Sequence, residues 1–92
     1  MISKMASERN LYYERYLLTV FKGHFRALSL NEQYALEADC NDLCDEMSRD
    51  REKFPLIYGT IVVAELLKRI GGVENLASYV ACLMAKHSEN PT

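Results

Sequence analysis

Residues 55–87 read PLIYGTIVVAELLKRIGGVENLASYVACLMAKH, two densely apolar segments on either side of the pair Gly71-Gly72. The first half of the leading segment, Leu56 to Val63, has the β-branched and aromatic content of a strand. Its continuation, Ala64-Glu65-Leu66-Leu67-Lys68-Arg69-Ile70, is built from strong helix formers, which decides for a helix across the segment. Gly71 then suits a left-handed C-cap, and Lys68 and Arg69 complement the negative end of the helix dipole. A final helix is expected over Val73–Lys86, burying Val73, Leu76, Ala77, Val80, Leu83 and Met84. Its small residues Ala77, Ser78, Ala81, Cys82 and Ala85 would admit another helix at close range. The stretch thus predicts a C-terminal helical hairpin.

Working back from the hairpin, Ser29-Leu30-Asn31-Glu32 carries the capping-box pattern, so a helix should begin there. Leu36, Cys40, Leu43, Met47 and Phe54 follow at alternating four- and three-residue steps, with Gln33 and Asp50 in the same heptad places. Pro55 ends that helix or opens the next element. Upstream, Tyr13, Leu17, Val20, Phe21, Phe25 and Leu28 form one helical stripe, widened by Leu11, Tyr12, Tyr16 and Leu18. A single helix over Ser7–Leu28 is expected, with Gly23 a mild weak point. The fold class is therefore all-α, a small bundle of about four helices ending in the hairpin, with residues 1–6 and 88–92 frayed.

A chain of 92 residues fits one domain, since two would each be too small to offset the entropy of ordering the backbone. The hydrophobic fraction of 49% is high for so small an interior, which favours a homodimer or an obligate protein partner. No apolar run is long enough to span a bilayer, and the first residues lack the apolar core of a secretory signal. Three cysteines, an odd number, fit a reducing compartment, so a cytoplasmic location is expected.

The net charge of −2 conceals a strong asymmetry. Residues 1–30 carry five bases against two acids, whereas residues 31–50 carry seven acids against Arg49 alone. Such an acidic helix is either a solvated face or a docking surface for a basic partner, with Asp39, Asp42, Asp45, Glu46 and Asp50 as the residues that would steer it. The acids lack the glycine turn and alternating oxygen ligands of a calcium loop. Tyr12 and Tyr16 are the aromatic candidates for partner contact, in a segment whose bases are too thinly spread for a nucleic-acid platform.

Catalytic and metal chemistry find little support. Cys40 and Cys44 sit one turn apart within a helix, which suits packing better than a zinc knuckle, even if Cys82, His24 or His87 were to converge. His24 falls on the first stripe as a core-edge residue, and His87 stands near a helix C-terminus. No phosphate loop, dinucleotide fingerprint, zinc-protease motif or nucleophile elbow is present, so neither an enzyme nor a cofactor is expected. The expected function is stoichiometric protein binding, as a regulator, inhibitor, immunity factor or chaperone-like adaptor. The competing expectation is a dimeric helix-turn-helix regulator turning at Gly71-Gly72, weakened because the second helix offers no base before Lys86.

Overall fold

Ser29 and Glu32 close the capping box: the Glu32 amide donates to Ser29 Oγ at 3.2 Å, and the Ser29 amide donates to Glu32 Oε1 at 2.7 Å. In the computed structural model, which describes residues 12–55 and 57–88, five α-helices and one 3-10 turn are found and no strand. These are α1 (Glu14–Phe21), α2 (Gly23–Arg26), α3 (Leu30–Arg49), α4 (Gly59–Ile70), the 3-10 turn Val73–Asn75 and α5 (Leu76–Ser88). The fold is a small all-α bundle. The expected frayed ends, residues 1–6 and 89–92, lie outside the described residues, as does the expected start of the first helix over 7–11. Ser88, placed in the frayed tail by sequence, is still helical.

The capping box launches the longest helix. Leu36, Cys40, Leu43 and Met47 of α3 are all buried, at the spacing their sequence implies. The helix stops earlier than that seam suggested. The Asp50 carbonyl accepts from the amides of Lys53 and Phe54, at 3.1 and 2.9 Å, forming a turn that takes Phe54 off the helix. Phe54 still packs, half-buried, against the core.

The single N-terminal helix expected over Ser7–Leu28 is broken in two. Lys22 has φ 50° and ψ −125°, the one non-glycine with positive φ among the described residues. Its amide still donates to the Leu18 carbonyl at 3.0 Å, while its own carbonyl accepts from Phe25 at 3.1 Å and starts a new direction. A straight rod from Tyr13 to Leu28 would be about 24 Å long, against about 18 Å for α4, on which α1 packs. The break folds Phe25 and Leu28 back into the core instead of past its edge. His24, expected at the core edge, is exposed by the same change of direction.

The leading apolar segment is helical from Gly59, and Ile57 and Tyr58 lie before the helix, with Tyr58 extended at φ −117° and ψ 161°. Its β-branched run survives as helix because Val62 and Val63 are fully buried, where packing outweighs a propensity cost of a few tenths of a kcal/mol per residue. Gly71, at φ 91°, supplies the left-handed cap, with its amide donating to Leu67 at 2.9 Å. Gly72 goes further, to φ 133° and ψ 152°, a region that side chains avoid. Asn75 Nδ2 then reaches back to the carbonyls of Ile70 and Gly71 at 3.4 and 3.3 Å.

The two arms of the hairpin rest chiefly on α3, while α1 packs on α4 and α2 on α5. Leu17, Phe21, Leu36, Cys40, Val62, Val63, Leu66, Leu76 and Val80 meet at its centre without solvent exposure. In the last helix Ala77, expected inside, is exposed, because it stands about 100° round the helix from Leu76, at the edge of the stripe made by Leu76, Val80 and Leu83.

Candidate functional site

The acidic helix divides into residues with internal duties and residues without. Glu32 belongs to the capping box. Glu37, counted by sequence with the solvated acids, is buried, and its two carboxylate oxygens accept the Tyr13 amide at 3.1 and 3.2 Å. It therefore satisfies a free N–H at the start of α1, where a negative charge also meets the positive end of the helix dipole. Burial pushes its carboxyl above the ordinary value of 4.5, against the amide hydrogen bonds, which pull it down. Asp39, half-buried, accepts a hydrogen bond from the Tyr79 hydroxyl of α5. Burial, reinforced by that carboxylate, holds the Tyr79 phenol well above its usual range.

Glu46 pairs with Arg69 of α4 at 2.8 Å, and Arg69 also reaches Glu65 at 3.6 Å. Both Glu46 and Arg69 are about half exposed, so the pair is worth on the order of 0–1 kcal/mol. Asp50 holds the turn after α3, its Oδ1 accepting from the Lys53 amide at 3.4 Å. Asp42 and Asp45 are exposed. Among the described residues Glu46 is the acid of this helix that meets a cation, while most of the other carboxylates are engaged by uncharged donors.

The aromatic candidates lie at another corner, where the N-terminal ends of α1 and α4 meet. Tyr16 lies flat against Gly59: a Cβ at that glycine would stand 2.3 Å from the ring. Close approach of the two helices therefore depends on the missing side chain. Tyr12 is 57% exposed and sits edge-on to the buried Tyr13 at 4.8 Å and tilted toward Tyr16 at 5.9 Å. Tyr16 pushes the Tyr12 phenol above its ordinary value, by charge repulsion and a hydrogen bond between the two. The Arg15 guanidinium rides 5.3 Å from the Tyr16 ring centroid, and Tyr58, also 57% exposed, adjoins Gly59 in sequence.

Two grooves lie along α1, one at this corner and one at the helix's other end, unannounced by the sequence because each is built between helices. One, of about 470 Å³, is lined by Arg15, Tyr16, Thr19, Val20 and Thr60. The other, of about 650 Å³, lies over the break at Lys22, between Val20, Phe21, His24, Ala27 and Val73.

Cys40, Cys44 and Cys82 are free thiols, buried, half-buried and exposed in that order. Burial pushes the Cys40 thiol far above its ordinary range, so it stays protonated and unreactive. Among the described residues no group of three or more His, Cys, Asp or Glu side chains is placed to hold a metal ion. No helix among them is long and apolar enough to cross a membrane. The exposed face of α5 presents Ala77, Ser78, Ala81, Cys82 and Ala85, with Lys86 as its base. Comparison with protein-family models, with curated proteins and with solved structures finds no match.

Proposed function

We propose that this chain acts by stoichiometric protein binding, as a small regulator, inhibitor or adaptor, and that the tyrosine corner at the start of α1 and α4 is its contact surface. The observation that carries the reading is the exposure of Tyr12 and Tyr58, 57% each, beside Tyr16 and Arg15. Tyrosine and arginine are the residues that dominate binding energy at protein interfaces, since they bring large area with few rotatable bonds and a polar tip. Tyr16 packs against Gly59, and the exposed Tyr12 ring stands 5.9 Å from it. Asp42 and Asp45 supply a distant negative field that speeds encounter with a basic partner rather than adding much to the final affinity.

The test compares the wild-type chain with Tyr12→Ser/Tyr58→Ser, two exposed changes that leave the core intact. Light scattering over a dilution series reports self-association, and quantitative affinity capture reports stoichiometric partners. Loss of either association in the double variant, with an unchanged circular dichroism spectrum, supports the reading. Association identical in both proteins refutes it.

A further inference from the structure

The two grooves have one lining residue in common, Val20, and so lie side by side along α1. Taken together as one channel they offer an apolar surface from Tyr16, Val20, Ala27 and Val73, and their charged lining is entirely basic or imidazole: Arg15, Lys22 and His24. Thr60 of α4 closes the first groove on its far side. Glu74, next to Val73, folds its carboxylate back over Gly72. In a protein of net charge −2 this is a local reversal of sign over an apolar surface.

We infer that this channel takes an acidic amphipathic helix of a partner protein, its apolar stripe on the floor and its carboxylates against Arg15 and Lys22. The proposal rests on the protein-binding reading above and names the chemistry of one segment of that partner, an acidic helix apart from the basic surface that Asp42 and Asp45 would steer. An apolar groove edged by charge is the kind of surface on which an amphipathic helix lays its side chains at i, i+3, i+4 and i+7. Charge decides the occupant. Residues 1–11 of this chain carry Lys4 and Arg9 against Glu8, the wrong sign for the site.

The experiment titrates the full chain into two fluorescein-labelled helical peptides of about 14 residues, roughly 21 Å long at 1.5 Å per residue. Both share a leucine stripe; one has Glu and the other Lys on the polar face. Anisotropy at low salt should show the Glu peptide binding at least about tenfold more tightly, with the preference shrinking at 0.5 M salt as screening shortens the reach of charge. Arg15→Glu/Lys22→Glu, both exposed, should reverse the preference without changing the dichroism spectrum. Equal binding of the two peptides, or a preference untouched by the double reversal, overturns the proposal. So does a dimer in light scattering that the reversal dissociates and Asp42→Lys/Asp45→Lys restores, since the occupant is then a second copy. If the Glu peptide fails while Tyr12→Ser/Tyr58→Ser still abolishes partner capture, the channel falls and the protein-binding reading stands.

Discussion

Replacing Lys22 by glycine should stabilise this protein, although glycine is normally among the worst residues to place within a helical segment. The backbone at Lys22, φ 50° and ψ −125°, costs a side-chain-bearing residue about 1–3 kcal/mol. Glycine removes that strain and returns about 0.4–1 kcal/mol through the greater freedom of the unfolded chain. Lys22 is exposed, so little packing is lost with its side chain. The net expectation is a gain of about 1 kcal/mol, or about 4–8 °C in Tm for a domain of this size. Urea unfolding followed by far-UV dichroism should show the midpoint rising with an unchanged slope, which marks a change of stability rather than of compactness. Lys22→Ala is the comparator, for it keeps the strain and should gain nothing. Were residues 14–26 one continuous helix, Lys22→Gly would instead cost about 1 kcal/mol. A loss of that size would refute the break and the reasoning built on it.

Further outcomes follow from other positions. Gly59→Ala sets a methyl 2.3 Å from the Tyr16 ring and should cost about 1–3 kcal/mol by overpacking. The loss should shrink when Tyr16→Ala is made as well, a coupling that a double-mutant cycle by urea unfolding reads directly. Glu37→Gln should flatten part of the pH dependence of stability. A carboxyl raised by burial above 4.5 stabilises the fold fully below that pH and loses the contribution as pH rises through its folded value. The stability of Glu37→Gln relative to wild type should therefore improve with rising pH and then level off; a pH-independent difference contradicts the burial. Gly72→Ala, at φ 133°, should cost about 1–3 kcal/mol in thermal melts. Tyr79→Phe leaves the half-buried Asp39 without its donor and should cost about 1–3 kcal/mol by the same measure.

What was legible in the sequence is what depends on neighbours in the chain. The capping box at Ser29 and Glu32, the cap at Gly71 and the buried seam of α3 each need only a few adjacent residues, and each is found. The break at Lys22 was hidden because propensity points to Gly23, whereas the strained dihedral falls on the lysine before it. Glu37 was hidden because the group that justifies its burial, the Tyr13 amide, is 24 residues away. One signal was available: Glu37 stands three residues before Cys40 and seven before Cys44, on the edge of the buried seam. The grooves were invisible for a similar reason, since Val20, Thr60 and Val73 share a surface only after the helices pack. Likewise the acidic run looked like surplus charge until its hydrogen bonds to Tyr79, Arg69 and backbone amides were in view.

The contrast between local and distant end-caps also orders events in folding. Ser29 with Glu32, Gln33 reaching the Leu28 carbonyl at 3.1 Å, and Asn75 reaching Gly71 all close loops of a few residues. Such loops form in well under a microsecond, so α3 and the glycine turn are able to punctuate themselves before the chain collapses. The start of α1 has no such autonomy. Its N-cap residue Tyr13 has no side-chain cap, and its amide waits for a carboxylate that exists in the right place only once α3 is helical and docked. Substitutions at Glu37 should accordingly speed unfolding and leave the refolding rate nearly unchanged, whereas Ser29→Ala should slow refolding. The start of the N-terminal helix then closes only after α3 has docked, and part of the surface proposed for partners is carried on a segment held by a contact 24 residues away.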